Sequence, residues 1–201
     1  MKRRDLVIAA IISEIDALLI IWLYSNFNLH TSFDWFISIL WLTAPLIGLL
    51  GIYIADWLRK TSESLWQMCK TILVGSLNIL IESTLIAVAQ NILTPVTVRE
   101  WYPFVVSVVF IVAATNSYFW NKFWSFEKRD TESKVKEAST FYAVTIAGYL
   151  LSVLISSTIA QTVTPMFGLD VAGWNIFANA VAAIFVFIFH FAGYKFIVFK
   201  K

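Results

Sequence analysis

The sequence predicts an all-α membrane protein: a polytopic bundle of six transmembrane helices, with two tandem parallel two-helix repeats and an N-terminal helical hairpin. Three observations predict this fold. Of the 201 residues, 59% are hydrophobic and only 14% are charged, whereas a soluble domain has about a quarter charged residues. The charged residues lie between long apolar stretches. Two distant segments also resemble each other in sequence.

Six apolar stretches are long enough to cross a bilayer, which takes about 18 or more residues. They are Leu6–Tyr24, Phe36–Ala55, Thr71–Ile92, Tyr102–Phe119, Phe141–Val163 and Val171–Phe189. They lack the short alternating pattern of barrel strands, so we expect helices. The first stretch follows a basic start, but Glu14 and Asp16 interrupt it and no small-residue cleavage site follows. We therefore interpret it as a retained span.

The basic residues predict the orientation, because lysine and arginine in short loops stay in the cytoplasm. Lys70 is counted here as a residue of the loop after the second span. Of the 15 basic residues, Arg99 alone falls on the outer side, so both termini are predicted to be cytoplasmic. Tryptophans near the span ends predict interfacial anchors. They are Trp35, Trp101 and Trp174 outside, and Trp57, Trp66, Trp120 and Trp124 inside.

An internal repeat is predicted by two phrases that lie 73 residues apart, Asn121–Phe126 and Tyr194–Phe199. The same offset pairs Gly75 with Gly148, Trp101 with Trp174, and Phe104 with Phe177. We place the repeats at residues 66–129 and 139–201, within a domain 61–201 that follows a hairpin 1–60. Each repeat has two spans, so both copies insert in the same orientation, with Lys122 and Lys195 expected together at the cytoplasmic face.

The sequence shows no signature of an enzyme. It has no phosphate-cradling glycine loop, no Asp-x-Asp pair in a cytoplasmic loop and no nucleophile–base arrangement. Cys69 is the only cysteine, which excludes an intramolecular disulfide and a cysteine-based metal site. We expect no enzymatic activity, no cofactor, no metal and no nucleic-acid partner.

The repeat ends, with the hairpins that precede them, resemble the GtrA-like family of small membrane proteins, over roughly Trp66 to Lys201. Members of that family have four spans. Their second and fourth spans end in an asparagine, a few apolar residues, a basic residue, an aromatic residue and a phenylalanine. The matching segments are Asn116 to Phe126 and the phrase that ends at Phe199. At the positions of the family's asparagine, this chain has Ser117 in the first segment and His190 in the second. Asn116 lies one position before Ser117.

The resemblance implies a role in the synthesis of cell-surface polysaccharide at the cytoplasmic (inner) membrane: translocating (flipping) or presenting a sugar linked to polyprenyl phosphate. The alternative is a non-catalytic membrane anchor subunit of a polyprenyl-phosphate glycosyltransferase. A third class, a small proton-coupled transporter, is suggested by Glu14, Asp16 and Glu82. The expected partners are the lipid-linked sugar, membrane lipids and, in the second interpretation, the transferase. The sequence leaves open whether the chain also forms a homo-oligomer.

Seven residues are candidates for binding such a ligand. Lys122 and Lys195 supply cations for the lipid phosphate. Neighbouring side chains are expected to add hydrogen bonds, and a separate pair of residues to form a polar route for the sugar near the middle of the membrane. The neighbours are Asn121, Asn116 and His190, and the route is Glu82 with Asn78. Several have a structural alternative: the lysines extend to lipid headgroups, His190 is a core residue, and Glu82 with Asn78 joins helices.

Overall fold

The computed structural model describes residues 2–27, 34–93, 95–130, 133–166, 168 and 170–200, apart from the side chains of residues 95–99 and 172. Its six α-helices are α1 Arg3–Asn26, α2 Asp34–Arg59, α3 Glu63–Ile92, α4 Pro95–Trp120, α5 Lys134–Thr162 and α6 Val171–Gly193. Six segments are long and apolar enough to cross a membrane. The predicted all-α, six-span fold is confirmed. The organisation into two repeats stays a prediction.

Helix α3 begins earlier than the apolar stretch that predicted it. The side chain of Ser62 accepts a hydrogen bond from the backbone N–H of Ser64 at 3.2 Å and caps the helix, which therefore starts at Glu63. The first two turns precede the apolar span and include four polar residues: Glu63, Ser64, Gln67 and Lys70. The assignment of Lys70 to a cytoplasmic loop is wrong, because this lysine lies inside α3.

The chain divides into two compact units, which are described separately. Unit 1 is Met1–Glu127 and unit 2 is Lys128–Lys201. In unit 1, α1 packs against α2 and α3, and α3 packs against α2 and α4. In unit 2, α5 packs against α6. The boundary predicted after residue 60 lies within unit 1 and stays a prediction.

Small residues let helices approach closely in both units, as is usual for membrane helices. In unit 1, a Cβ atom at Gly48 of α2 would overlap the side chain of Ser13 and lie 3.2 Å from the carbonyl oxygen of Ala9. In unit 2, a Cβ atom at Gly148 of α5 would overlap the imidazole of His190. These two glycines therefore mark tight helix crossings.

The outer faces of the helices carry large apolar side chains. Examples are Leu46, Tyr53 and Ile79 in unit 1, and Leu154 and Ile176 in unit 2, all of them exposed. Soluble monomers rarely expose extended apolar patches. Helices of this length with apolar outer faces fit a lipid environment.

Three of the predicted tryptophan anchors are buried inside their units. Trp66, Trp124 and Trp174 are each at most 2% exposed. The indole of Trp124 donates to Asp5 Oδ1 at 3.0 Å, and that of Trp174 donates to the carbonyl oxygen of Ile159 at 3.4 Å. The interfacial interpretation is wrong for these three side chains, because they are buried among protein atoms and do not face the membrane surface.

Candidate functional site

Each candidate lysine lies in a short π-helical segment at the end of a long helix. The π segment of unit 1 is Asn121–Ser125, directly after α4, and the π segment of unit 2 is Tyr194–Val198, directly after α6. Each is closed by an i→i+5 hydrogen bond: Phe126 N–H to Asn121 O at 2.8 Å, and Phe199 N–H to Tyr194 O at 2.7 Å. Single-turn π segments are rare and occur often at functional sites.

Lys122 lies in the unit 1 segment with its ammonium group among aromatic side chains. The residue is only 4% exposed. Its Nζ donates to the hydroxyl of Tyr118 at 3.2 Å and lies 5.5 Å from the centroid of that ring and 5.7 Å from the centroid of Phe123. Cation–π attraction offsets part of the cost of removing the ammonium group from water.

Lys195 has the same arrangement in unit 2. Its Nζ lies 5.7 Å from the ring centroid of Phe191 and 5.6 Å from that of Phe196. In both units the rings come from the residues four before and one after the lysine. Two segments 73 positions apart thus agree in backbone, in the cation and in its aromatic neighbours.

Asn121 makes its hydrogen bonds within unit 1. It is 1% exposed, and its Nδ2 donates to the carbonyl oxygen and the hydroxyl of Ser117 at 2.9 and 3.2 Å. Its Oδ1 and the Oγ of Ser125 are buried without a hydrogen-bond partner in the described part of the chain. Such atoms raise the free energy of the folded state unless water or a ligand reaches them.

The structure brings Asn78 and Asn116 together between α3 and α4. Asn116 Nδ2 donates to Asn78 Oδ1 at 2.8 Å, and Asn116 Oδ1 accepts from the indole of Trp120 at 3.1 Å. Glu82 lies four residues after Asn78, on the same side of α3. It is half-buried, and within the described residues it has no hydrogen-bond or ion-pair partner. Unit 1 therefore has a polar stripe that ends in a carboxyl group.

His190 packs inside unit 2. Its Nε2 lies 3.3 Å from the carbonyl oxygen of Thr145 on α5, and its ring stacks on Tyr194 with centroids 5.4 Å apart. The hydroxyls of Tyr194 and Thr145 are 2.9 Å apart. The tyrosine ring also stacks on Phe141 at 4.5 Å. His190 thus contributes to the contact between α5 and α6.

Comparison with protein-family models gives one match that covers most of this architecture. The model of the GtrA/DPMS transmembrane domain matches residues 70–199, which include α4 to α6, most of α3 and both π segments. The chain belongs to this family. Searches of curated proteins and of solved structures returned no match. The protein is therefore a multi-pass membrane protein of a family related to glycan and polyprenyl-sugar processes, whose domains are generally non-catalytic.

A buried ion network connects the GtrA/DPMS domain to α1, which lies outside the matched segment. Lys70 Nζ donates to the carbonyl oxygen of Trp124 at 2.9 Å and pairs with Asp5 Oδ1 at 3.4 Å and Glu127 Oε1 at 3.2 Å. Lys70 and Asp5 have side chains that are 1% exposed. The ring of Trp66 lies 4.7 Å from the same ammonium group. The sequence-based search for the site missed this network.

Glu127 is the outer member of the network. It also accepts from Lys2 at 2.7 Å and from Arg4 at 3.0 Å. Although burial raises the pKa of its carboxyl group, the hydrogen bonds and charges of Lys2 and Lys70 lower that pKa to about 2. Its φ of 50° is a left-handed conformation that is uncommon outside glycine. Ion pairs thus connect the start of α1 to the residue that follows the unit 1 π segment and Phe126.

Proposed function

We propose that Lys122 of unit 1 and Lys195 of unit 2 each bind the phosphate of a polyprenyl-phosphate-linked sugar at the cytoplasmic leaflet. The bound sugar then reorients across the cytoplasmic membrane for polysaccharide synthesis, without a chemical step. The observation that carries the proposal is the pair of lysines, each in a π segment between two aromatic rings. Family membership supports the class of ligand.

A lysine in this setting suits a lipid phosphate. The ammonium group is a compact positive charge with three donors, and its charge-assisted hydrogen bonds to phosphate strengthen in a low dielectric. Aromatic rings attract the cation only moderately. A phosphate that arrives from the leaflet adds a charge-assisted hydrogen bond to the contacts with the rings, while the isoprenoid tail stays in lipid.

The polar stripe of unit 1 supports a route for the sugar. Sugar hydroxyls need donors and acceptors inside the bilayer, because unpaired polar groups are costly there. Asn78 and Asn116 offer amides, and Glu82 lies about 6 Å further along α3 at a rise of about 1.5 Å per residue. Asn121 and His190 bond within their own units, so in this proposal they position the π segment and α6 instead of contacting the ligand.

The test is reorientation of polyprenyl-phosphate glucose, with the sugar radiolabelled, in sealed proteoliposomes. The fraction that membrane-impermeant periodate oxidises is followed over time. Lys122→Met and Lys195→Met are each expected to slow reorientation about tenfold or more, because a hydrogen bond to a charged group contributes about 1.5–3 kcal/mol. The double variant is expected to match empty liposomes.

Each unit supplies a matched control for the lost charge. Lys60 and Lys136 are exposed lysines outside the π segments, and their methionine variants are expected to keep wild-type rates. Unchanged rates in Lys122→Met and Lys195→Met would contradict the lysine assignment. Lipid binding without reorientation by the purified protein would instead favour an anchor subunit for a glycosyltransferase.

Glu82→Gln separates the polar route from phosphate binding. We expect this variant to lower the reorientation rate while the affinity for the short-chain probe citronellyl phosphate stays as in the wild type. Ser83→Ala is the control, since that hydroxyl bonds to the carbonyl oxygen of Ile79 in its own helix. An equal loss in both variants would mean that the effect comes from α3 packing.

A further inference from the structure

Unit 1 contains a cavity that the proposed function does not use. Its volume is about 390 Å³, and it lies between α1, α2 and the apolar part of α3. Most of its wall belongs to the N-terminal hairpin, which precedes the segment matched by the family model. The volume is within the range of small-molecule sites, about 300–1,000 Å³.

The cavity exists because small residues line it next to a tight helix crossing. Gly48 approaches Ser13 so closely that a methyl group would not fit. Nearly one turn further along α2, Gly51 has no atom within 4 Å of an added Cβ position. Ala17 and Ala44 also face the space with short side chains. The helices are thus held together at Gly48 and leave an open cleft at Gly51.

Asp16 is the one ionisable carboxyl group in an otherwise mostly apolar wall. Its Oδ2 accepts a hydrogen bond from the hydroxyl of Ser76 on α3 at 2.7 Å. Its Oδ1 is buried and has no hydrogen-bond partner in the described residues. An acidic side chain within a membrane span is costly and is by default a functional-site hypothesis.

We infer that this cavity binds a compact organic cation, with the cationic group beside the carboxylate of Asp16 and the apolar body in the open space beside Gly51. Charge complementarity selects this class of ligand. A neutral apolar molecule would leave the carboxylate oxygen unpaired, and an anion would be repelled by it. A strongly hydrated metal ion needs several oxygen ligands, which the lining does not offer.

The probe is phenyltrimethylammonium, and its neutral isostere tert-butylbenzene separates charge from shape. Binding of the cation to the full-length protein in non-ionic detergent is measured by calorimetric titration. Binding of the neutral isostere is followed by the shift in the thermal unfolding midpoint. Asp16→Asn is expected to weaken cation binding about 10- to 100-fold and to leave the isostere unaffected.

Two pairs of variants provide controls. Gly51→Leu is expected to abolish binding of both probes by filling the cleft, whereas Gly75→Leu, also in open space but outside the cavity, is expected to bind normally. Glu14→Gln removes the neighbouring acid, which does not line the cavity, and is expected to bind within twofold of the wild type.

Three outcomes would overturn the inference. The cation does not bind the wild type at millimolar concentration, it binds Asp16→Asn as well as the wild type, or the neutral isostere binds equally well and loses affinity in Asp16→Asn. The first would mean that Asp16 takes only a proton. None of these results bears on Lys122 or Lys195, so this inference fails separately from the proposed function.

Discussion

In unit 1 the π segment packs polar side chains inward, whereas in unit 2 the same positions are apolar or aromatic. Asn121 and Ser125 are buried in unit 1, and their counterparts 73 residues later, Tyr194 and Val198, are buried in unit 2. The i→i+5 hydrogen bond and the lysine between two rings are nevertheless the same in both. The lysine thus has the same backbone and the same ring neighbours in both units, although the buried side chains around it differ. The packing within a unit therefore does not determine this arrangement by itself.

The surroundings of the two segments differ most at the buried cation of α3. Lys70 of unit 1 corresponds to Ala143 in unit 2, and Glu127 corresponds to Lys200. The network of Lys70 and Asp5 therefore belongs to unit 1 alone, where α1 packs against the repeat. The shared lysines support the ligand role proposed for them, and the Lys70 network joins α1 of the N-terminal hairpin to α3.

The largest expected effect comes from breaking that network with Lys70→Met. Removing one member of a buried ion pair leaves the other charge uncompensated and costs about 3–5 kcal/mol. We expect a large fall in the thermal unfolding midpoint in detergent micelles, followed by tryptophan fluorescence. Asp5→Asn combined with Lys70→Met is expected to recover much of the loss. A single variant as stable as the wild type would contradict a stabilising role for the network.

The second prediction uses the glycines that the 73-residue offset pairs, Gly75 and Gly148. Gly148→Ala is expected to destabilise unit 2 by about 1–3 kcal/mol, because the new methyl group overlaps the imidazole of His190. Gly75→Ala meets no atom within 4 Å and is expected to be neutral or stabilising by up to about 1 kcal/mol. Thermal unfolding of both variants measures the difference.

Relief of the clash identifies its source. In the double variant Gly148→Ala, His190→Ala, the added methyl group no longer meets the ring, so the two effects are expected to be less than additive. Additive effects would mean that the imidazole moves aside freely.

Hydropathy alone predicted the six spans, because a bilayer requires long apolar helices whatever their packing. The repeated sequence phrase, and not hydropathy, indicated both lysines. The π segments were not predictable, since an i→i+5 bond has no hydropathy pattern. Lys70 was misplaced because a cation beside an apolar stretch resembles a loop residue. Its spacing from Trp66, Val74 and Leu77 was the available signal: a lysine in an inward-facing stripe requires a carboxylate partner.

The third prediction is the loss of stability at low pH. It tests the negative charge of Glu127 in unit 1, whose counterpart in unit 2 is Lys200. Because the pKa of this carboxyl group is lowered from 4.5 to about 2, its ionised form stabilises the fold above about pH 4.5. That contribution is lost as the pH falls towards 2. We expect the unfolding midpoint to fall as the pH is lowered from about 5 to about 2, and to fall less in Glu127→Gln.

Glu63→Gln is the control for this acid dependence. Glu63 pairs with Arg59 at 2.8 Å, but both side chains are well exposed, at 55% and 40%. Exposed pairs contribute little to stability. The control is therefore expected to keep the acid dependence of the wild type. A Glu127→Gln variant that also kept it would show that other carboxyl groups determine the acid response.

The smallest expected effect comes from making the lysine environment of unit 1 resemble that of unit 2. Tyr118 and Phe191 occupy equivalent positions four residues before the lysines, and Lys122 donates to the Tyr118 hydroxyl at 3.2 Å. Tyr118→Phe removes that acceptor and keeps the ring, at a cost of about 0.5–1.5 kcal/mol in stability. The reorientation rate in proteoliposomes is expected to stay within twofold, because Lys195 has a phenylalanine in that place. A rate as low as that of Lys122→Met would mean that the hydroxyl takes part in binding, and that the two lysines are not equivalent sites.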